Sequence, residues 1–192
     1  AIPATAADGS DAIAHTAALV ALLPELLVPG EGSLVLFASR YQMEEVATQL
    51  TQSLGAQLLV QGALTTGEIL RRHRARIDDG GGSVIFGLAS FAEGMDLPGD
   101  YCRHVIIAKL PFAVPEDPLH AALAEWIEAG GGNAFRELSL PAASLRLTQA
   151  CGRLIRTETD TGRVTILDRR LLTKAYGRDL LAALPPFRRE FG

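Results

Sequence analysis

The sequence predicts an α/β fold, a parallel sheet with helices on both faces. Short apolar runs rich in Val, Ile and Leu recur between stretches of helical spacing. Those runs are continuously apolar, as in strands covered on both sides. At 192 residues and 48% hydrophobic composition the chain is also large enough to bury a substantial core.

Residues 10–27 read as a helix capped by Ser10 or Asp11, and "VPGEGS" breaks it. "SLVLFAS" (33–39) reads as a strand. The next helix carries Met43, Val46, Ala47, Leu50 and Leu54 on one stripe and stops at Gly55. A strand over 56–62 and a helix over 67–79 follow, the latter ended by Gly80 to Gly82. "SVIFGLAS" (83–90) and "RHVIIAKL" (103–110) are two further strands. Asp117 is a plausible N-cap and Pro118 fits the first turn of a helix whose Leu119, Ala122, Leu123, Trp126 and Ile127 form an apolar stripe. Trp126 on that stripe reads as core. A helix containing "QACGRLIR" (149–156), a last strand over 163–168 and closing helices complete the chain.

Net charge is −4, which argues against a uniformly basic nucleic-acid binder. The average hides a gradient. Residues 146–189 hold ten Lys/Arg against four Asp/Glu, whereas residues 1–69 hold one arginine and seven acids. Cys102 and Cys151 form no CxxC, so a disulfide scaffold, a zinc site or an iron–sulfur cluster held by this chain is not expected, and a reducing, cytoplasmic setting is. The apolar stretch near the N-terminus contains His15, Pro24 and Glu25 and is too short for a membrane span. The only methionines are Met43 and Met95, so the sequence reads as part of a longer polypeptide.

Continued at about 100° per residue, the helix of "QACGRLIR" puts Gln149, Gly152, Arg153 and Arg156 on one face and Leu147, Ala150, Cys151, Leu154 and Ile155 on the other. Two guanidiniums at i, i+3 repel unless an anion faces them. A glycine beside them costs about 1 kcal/mol relative to alanine but opens room for a ligand. The alternative is an amphipathic helix with solvated arginines. In "GLASFAEGMDLPGD" (87–100), Ser90, Glu93, Gly94 and Asp96 sit in a turn-rich connection leaving a strand. Loops at strand C-termini form the ligand crevice of a parallel sheet, although Gly94 and Asp96 also suit a plain turn. "RRHRAR" (71–76) reads either as a solvated helix face or as a track for DNA, and Asp168 either as an N-cap or as the partner of an arginine.

"QACGRLIR" resembles motif VI (QxxGRxxR) of superfamily 2 helicases at all four defining positions. "SFAEGMD" resembles motif V (SFxEGxD) of the XPD/DinG branch, and "LVLFASRYQM" (34–43) resembles its motif IV. The closing segment is similar to the end of DinG/YoaA-type helicases, so the resemblance covers about residues 33–189. It implies a RecA-like second motor domain over 33–192, with an insertion at about 111–143 and an N-terminal helix and linker (1–32) packed on it. It implies that Arg153 and Arg156 reach the γ-phosphate of ATP as arginine fingers. Gln149, Gly152, Glu93, Gly94 and Asp96 would contact or sense the nucleotide, and Ser39, Arg40 and Ser90 would hold the single-stranded DNA backbone. ATP and Mg would be shared with a first motor domain, since no GxxxxGK[ST] or DEAH-like box occurs here and the chain alone should not hydrolyse ATP. Movement 5′ to 3′ and an iron–sulfur cluster elsewhere in the polypeptide are further implications. The alternative is a docking module, in which the acidic N-terminal part or the "PPFRREF" tail meets a replication protein such as the χ subunit of the replicative polymerase.

Overall fold

The computed structural model describes residues 1–3, 5–93, 95–112, 118–154 and 160–191, without the side chains of Ala92 and Glu93. Its centre is a sheet of β1 (Gly32–Phe37), β2 (Leu58–Val60), β3 (Ser83–Leu88), β4 (His104–Ile107) and β5 (Arg163–Ile166). The order is β2-β3-β1-β4-β5 and every pairing is parallel, with Leu34 opposite Ile85 on one side and Val105 on the other. The expected strands overrun these bounds because apolarity continues past the hydrogen-bonded ladder. Ala108, Leu110 and Leu167 leave their strands and stay buried.

Alternation along β1 builds two cores. Val35 and Phe37 point to the side covered by α1 (Ala12–Leu26) and α2 (Arg40–Leu54), where Phe37 meets Phe86 at 5.1 Å between ring centroids. Leu34 and Leu36 point to the side covered by α3 (Thr66–Asp78), α6 (Leu140–Cys151) and α8 (Gly177–Ala183). Asp11, not Ser10, caps α1 by accepting from the Ala14 amide at 3.1 Å. At the end of α2, Gly55 turns the chain with φ 53, a conformation open to glycine.

α5 (Pro118–Ala129) departs from expectation. None of its residues is buried, and Leu119, Leu123 and Trp126 are 69%, 41% and 75% exposed. Trp126 is therefore not core. The apolar stripe is real, but the helix does not lie over the sheet. The proposed cap Asp117 lies outside the described residues.

Buried polar groups tie the ends of the strands. The carboxylate of Asp168, just past β5, is fully buried and accepts from the Leu110 amide (3.0 Å) and the Gly9 amide (3.2 Å). It also pairs with Arg170, whose Nη2 is 2.7 Å away. Burial pushes this carboxyl up, but the Arg170 and Leu110 hydrogen bonds outweigh it and hold the group below its ordinary value. Asp168 is thus an arginine's partner, while Arg169 occupies the N-cap position of α7 (Arg170–Thr173). On the other side, buried His15 donates from Nε2 to the Leu167 carbonyl (2.9 Å), and its Nδ1 accepts from Gln42 Nε2 (3.0 Å). His73 and His104 are also fully buried. No helix among the described residues is long and apolar enough to cross a membrane.

Two outcomes follow for stability. Burial lowers the pKa of His15 and His73 from the ordinary value of 6.5 and that of His104 to about 3, so folding favours the neutral form of each. Their contribution is complete above about pH 6.5 and is lost as pH falls below it, at up to about 1.4 kcal/mol per pH unit for each histidine. Urea midpoints measured at pH 7.5, 6.5 and 5.5 should therefore decline, and a flat series would contradict the neutral assignment. Asp168→Ala should lower the unfolding free energy by about 3–5 kcal/mol in the same assay, because it strands the mostly buried Arg170 cation and the amides of Gly9, Leu110 and Arg170.

Candidate functional site

The chain leaves β1 toward the α2 side, and it leaves the neighbours of β1, β3 and β4, toward the opposite side. Where adjacent strands send their connections to opposite faces, a crevice opens at their C-terminal ends. Ser39 and Arg40 follow β1, Ser90 follows β3, and Lys109 follows β4. Ser39 serves first as the N-cap of α2, its Oγ accepting from the Gln42 amide at 3.5 Å. Arg40 is exposed and stands 3.9 Å from Glu44, a surface pair that fixes it weakly. Ser90 is exposed on α4 (Ala89–Glu93). Beside it, the side chain of Gln61 accepts the Leu88 amide at 2.8 Å and closes the end of β3.

α4 follows β3 directly and packs against both β1 and α6. Gly87 makes room for this contact, since a Cβ there would stand 2.6 Å from Phe91 Cδ1. Phe91 joins the same apolar cluster as Leu147, Ala150, Cys151 and Leu154. The segment "SFAEGMD" and the helix that carries Gln149 are therefore neighbours in space. After α4, Met95 and Leu97 are 2% and 4% exposed, and Asp96 between them is turned to the surface. Gly94 and the side chain of Glu93 lie outside the described residues.

α6 ends at Cys151, earlier than a continuous wheel through residue 156 requires. The Gly152 amide still reaches the Thr148 carbonyl (2.9 Å), but Arg153 and Leu154 bond three residues back, to Ala150 and Cys151 at 3.2 Å each. The last turn tightens, and the 100° spacing no longer positions Arg153. Gln149 and Gly152 are exposed, Arg153 is half-buried, and Leu154 is buried. Arg156 and Ile155 lie outside the described residues. Gly152 has φ −65, and among the described residues a Cβ there would meet only the Gln149 and Thr148 carbonyl oxygens, at 3.4 and 3.5 Å. Neither its backbone conformation nor its packing against the described residues calls for glycine at this exposed position.

"RRHRAR" resolves into separate contacts. Arg71 and Arg72 both bond Glu68, and these two arginines draw its carboxyl down to about 2. Arg76 donates to the Gly82 carbonyl at 3.1 Å, and Arg74 donates to the Asp96 carbonyl at 2.8 Å. Sequence reasoning took the run as one face. It missed Arg74 because adjacent arginines look alike until their partners are known.

Neither cysteine suits an iron–sulfur cluster, because both are buried and burial pushes the Cys151 thiol up to about 12. Among the described residues no group of His, Cys, Asp and Glu could hold a metal ion.

Comparison with known proteins gives one consistent assignment. Residues 25–187 match the family described as Helicase C-terminal domain. ATP-dependent DNA helicase DinG of Photobacterium profundum is 47% identical over 174 residues, covering 89% of this chain and 25% of that protein. DinG of Escherichia coli (strain K12) is 44% identical over 156 residues, covering 81% and 22%. The chain thus spans about a quarter of the length of these relatives. A solved XPD structure, "XPD_APO", shares the fold at TM-score 0.69 and 19% identity, over 94% of this chain and 37% of that one. The parallel sheet with helices on both faces is RecA-like, and the chain belongs to the helicase C-terminal domain family, with DinG helicases among its relatives.

Proposed function

We propose that this chain is the second motor domain of an ATP-dependent DNA helicase that moves 5′ to 3′. The observation that carries the reading is the contact between α4 and α6, which puts the "SFAEGMD" connection against the helix that carries Gln149. In this reading ATP and its Mg ion lie between a first motor domain, which supplies the phosphate loop, and the surface bearing Gln149, Gly152 and Arg153. Arg153 and Arg156 stabilise charge on the transferring phosphoryl group. Arginine suits this because its planar fork stays charged and grips two oxygens. Glu93, Gly94 and Asp96 couple the nucleotide to DNA, and Ser39, Arg40 and Ser90 hold single-stranded DNA by its phosphates, without sequence preference. Residues 1–32 pack on the domain, residues 111–143 are its insertion, and any iron–sulfur cluster belongs to another part of the polypeptide.

A second reading, a docking module for a replication protein such as the χ subunit of the replicative polymerase, draws on the tail. There the Phe191 residue is 55% exposed, although its backbone pairs with Ile2.

In the full-length protein, Arg153→Ala and Arg156→Ala should each lower DNA-stimulated ATP turnover by about 10³-fold while single-stranded DNA binding persists. Unchanged turnover would remove the motor assignment. Gly152→Ala provides a cleaner contrast. Its φ suits alanine, so thermal stability should hold or rise by about 0.4–1 kcal/mol, while turnover falls because the added methyl crowds the nucleotide. On the docking reading, Phe191→Ala abolishes capture of the purified χ subunit and spares turnover; retained capture counts against the tail as the docking surface.

A further inference from the structure

We infer that Arg74 is a positioning residue that aims Asp96 and thereby sets how tightly nucleotide turnover is coupled to DNA. The inference rests on the motor reading above and deepens it.

α3 grips the segment after α4 at three points. Arg74 Nη2 donates to the Asp96 carbonyl at 2.8 Å. His73 Nε2 donates to the Tyr101 carbonyl at 2.7 Å, and its Nδ1 accepts from Ser83 Oγ at 2.9 Å, so the ring is locked to the first residue of β3. The Tyr101 hydroxyl donates to Asp78 at 2.8 Å. The Arg74 guanidinium carbon also lies 5.6 Å from the centroid of the Tyr101 ring. Arg74 Nε is buried without a hydrogen-bond partner among the described residues, so the ring and the Asp96 carbonyl define where the head group sits.

Of the four arginines on α3, Arg71 and Arg72 answer to Glu68 one turn away, and Arg76 answers to the end of its own helix. Arg74 alone among them reaches the segment that follows α4. A charge-assisted bond to a carbonyl fixes the peptide plane after Asp96. Met95 and Leu97 anchor the backbone on both sides in the core. With the plane and both neighbours held, the Cα–Cβ direction of Asp96 is set from α3. This gives "RRHRAR" a role in which the helix holds the coupling segment and three of its arginines are bystanders.

The test compares Arg74→Ala, Arg74→Lys and the same-helix control Arg71→Ala. In this chain, amide hydrogen exchange at residues 95–97 should quicken in Arg74→Ala and stay near the parent rate in Arg71→Ala. In the full-length protein, Arg74→Ala should lower DNA-stimulated kcat by about 10-fold to 100-fold, in line with a misplaced functional group. The KM for ATP should stay within about twofold, since ground-state binding is not the affected step. Arg74→Lys, which still offers one donor to the carbonyl, should recover part of the loss, so a folding defect in the alanine variant does not decide the matter. The inference is overturned if exchange at 95–97 is unchanged, or if it quickens while DNA-stimulated kcat matches Arg71→Ala. Asp96→Ala separates the two levels. Loss of stimulation there with a silent Arg74→Ala sinks only the positioning role, whereas a silent Asp96→Ala sinks this role and the coupling assignment beneath it.

Discussion

Every residue of β1 is buried, and that constraint organises the molecule. A strand with no polar face must be covered on both sides, and a parallel neighbour can be reached only by a crossover. The helices are therefore divided between two faces, and each connection begins at the same rim of the sheet. The crossovers from β3 and β4 fall on one face, which is why α4 and α6 meet although some fifty residues of chain separate them. The site is a by-product of covering the central strand.

Hydrogen bonds then fix what burial alone leaves loose. Apolar contacts are not directional, and a loop leaving a buried strand could settle in several ways. Asp168 removes that freedom by binding amides from residues 9 and 110 together with Arg170, whose guanidinium in turn lies 5.6 Å over Phe112. Phe112, Phe135 and Tyr176 contact one another at 5.2–5.6 Å, so one buried carboxylate organises the segment after β4, the turn before α6 and the start of α8. His15 does similar work for α1. Inside a low-dielectric core, leaving any of these groups unpaired is expensive, and each tie therefore selects one arrangement.

Period and punctuation made the strand–helix alternation readable, and the exact motif spacings made the two candidate site segments readable. Three features resisted. The stripe of Leu119, Leu123 and Trp126 announces that something apolar faces α5 but does not say that the sheet does, and Trp126 stands exposed. The wheel through "QACGRLIR" assumed an unbroken helix, but after Gly152 the hydrogen bonds reach three residues back in place of four, which changes where Arg153 stands. The arginines of α3 are equivalent by composition, but they differ in partner because only residue 74 faces the segment carrying Asp96.

The order of apolar and polar residues along the chain was enough to specify an α/β parallel fold, its five strands and the helix that carries Gln149, because periodicity and helix stops are local properties. Which helices share a face, how Asp168 and His15 find partners more than 150 residues away, and which arginine reaches Asp96 were settled by folding. Those contacts join positions distant in sequence, and their energies depend on burial and mutual orientation, which exist only once the sheet has formed.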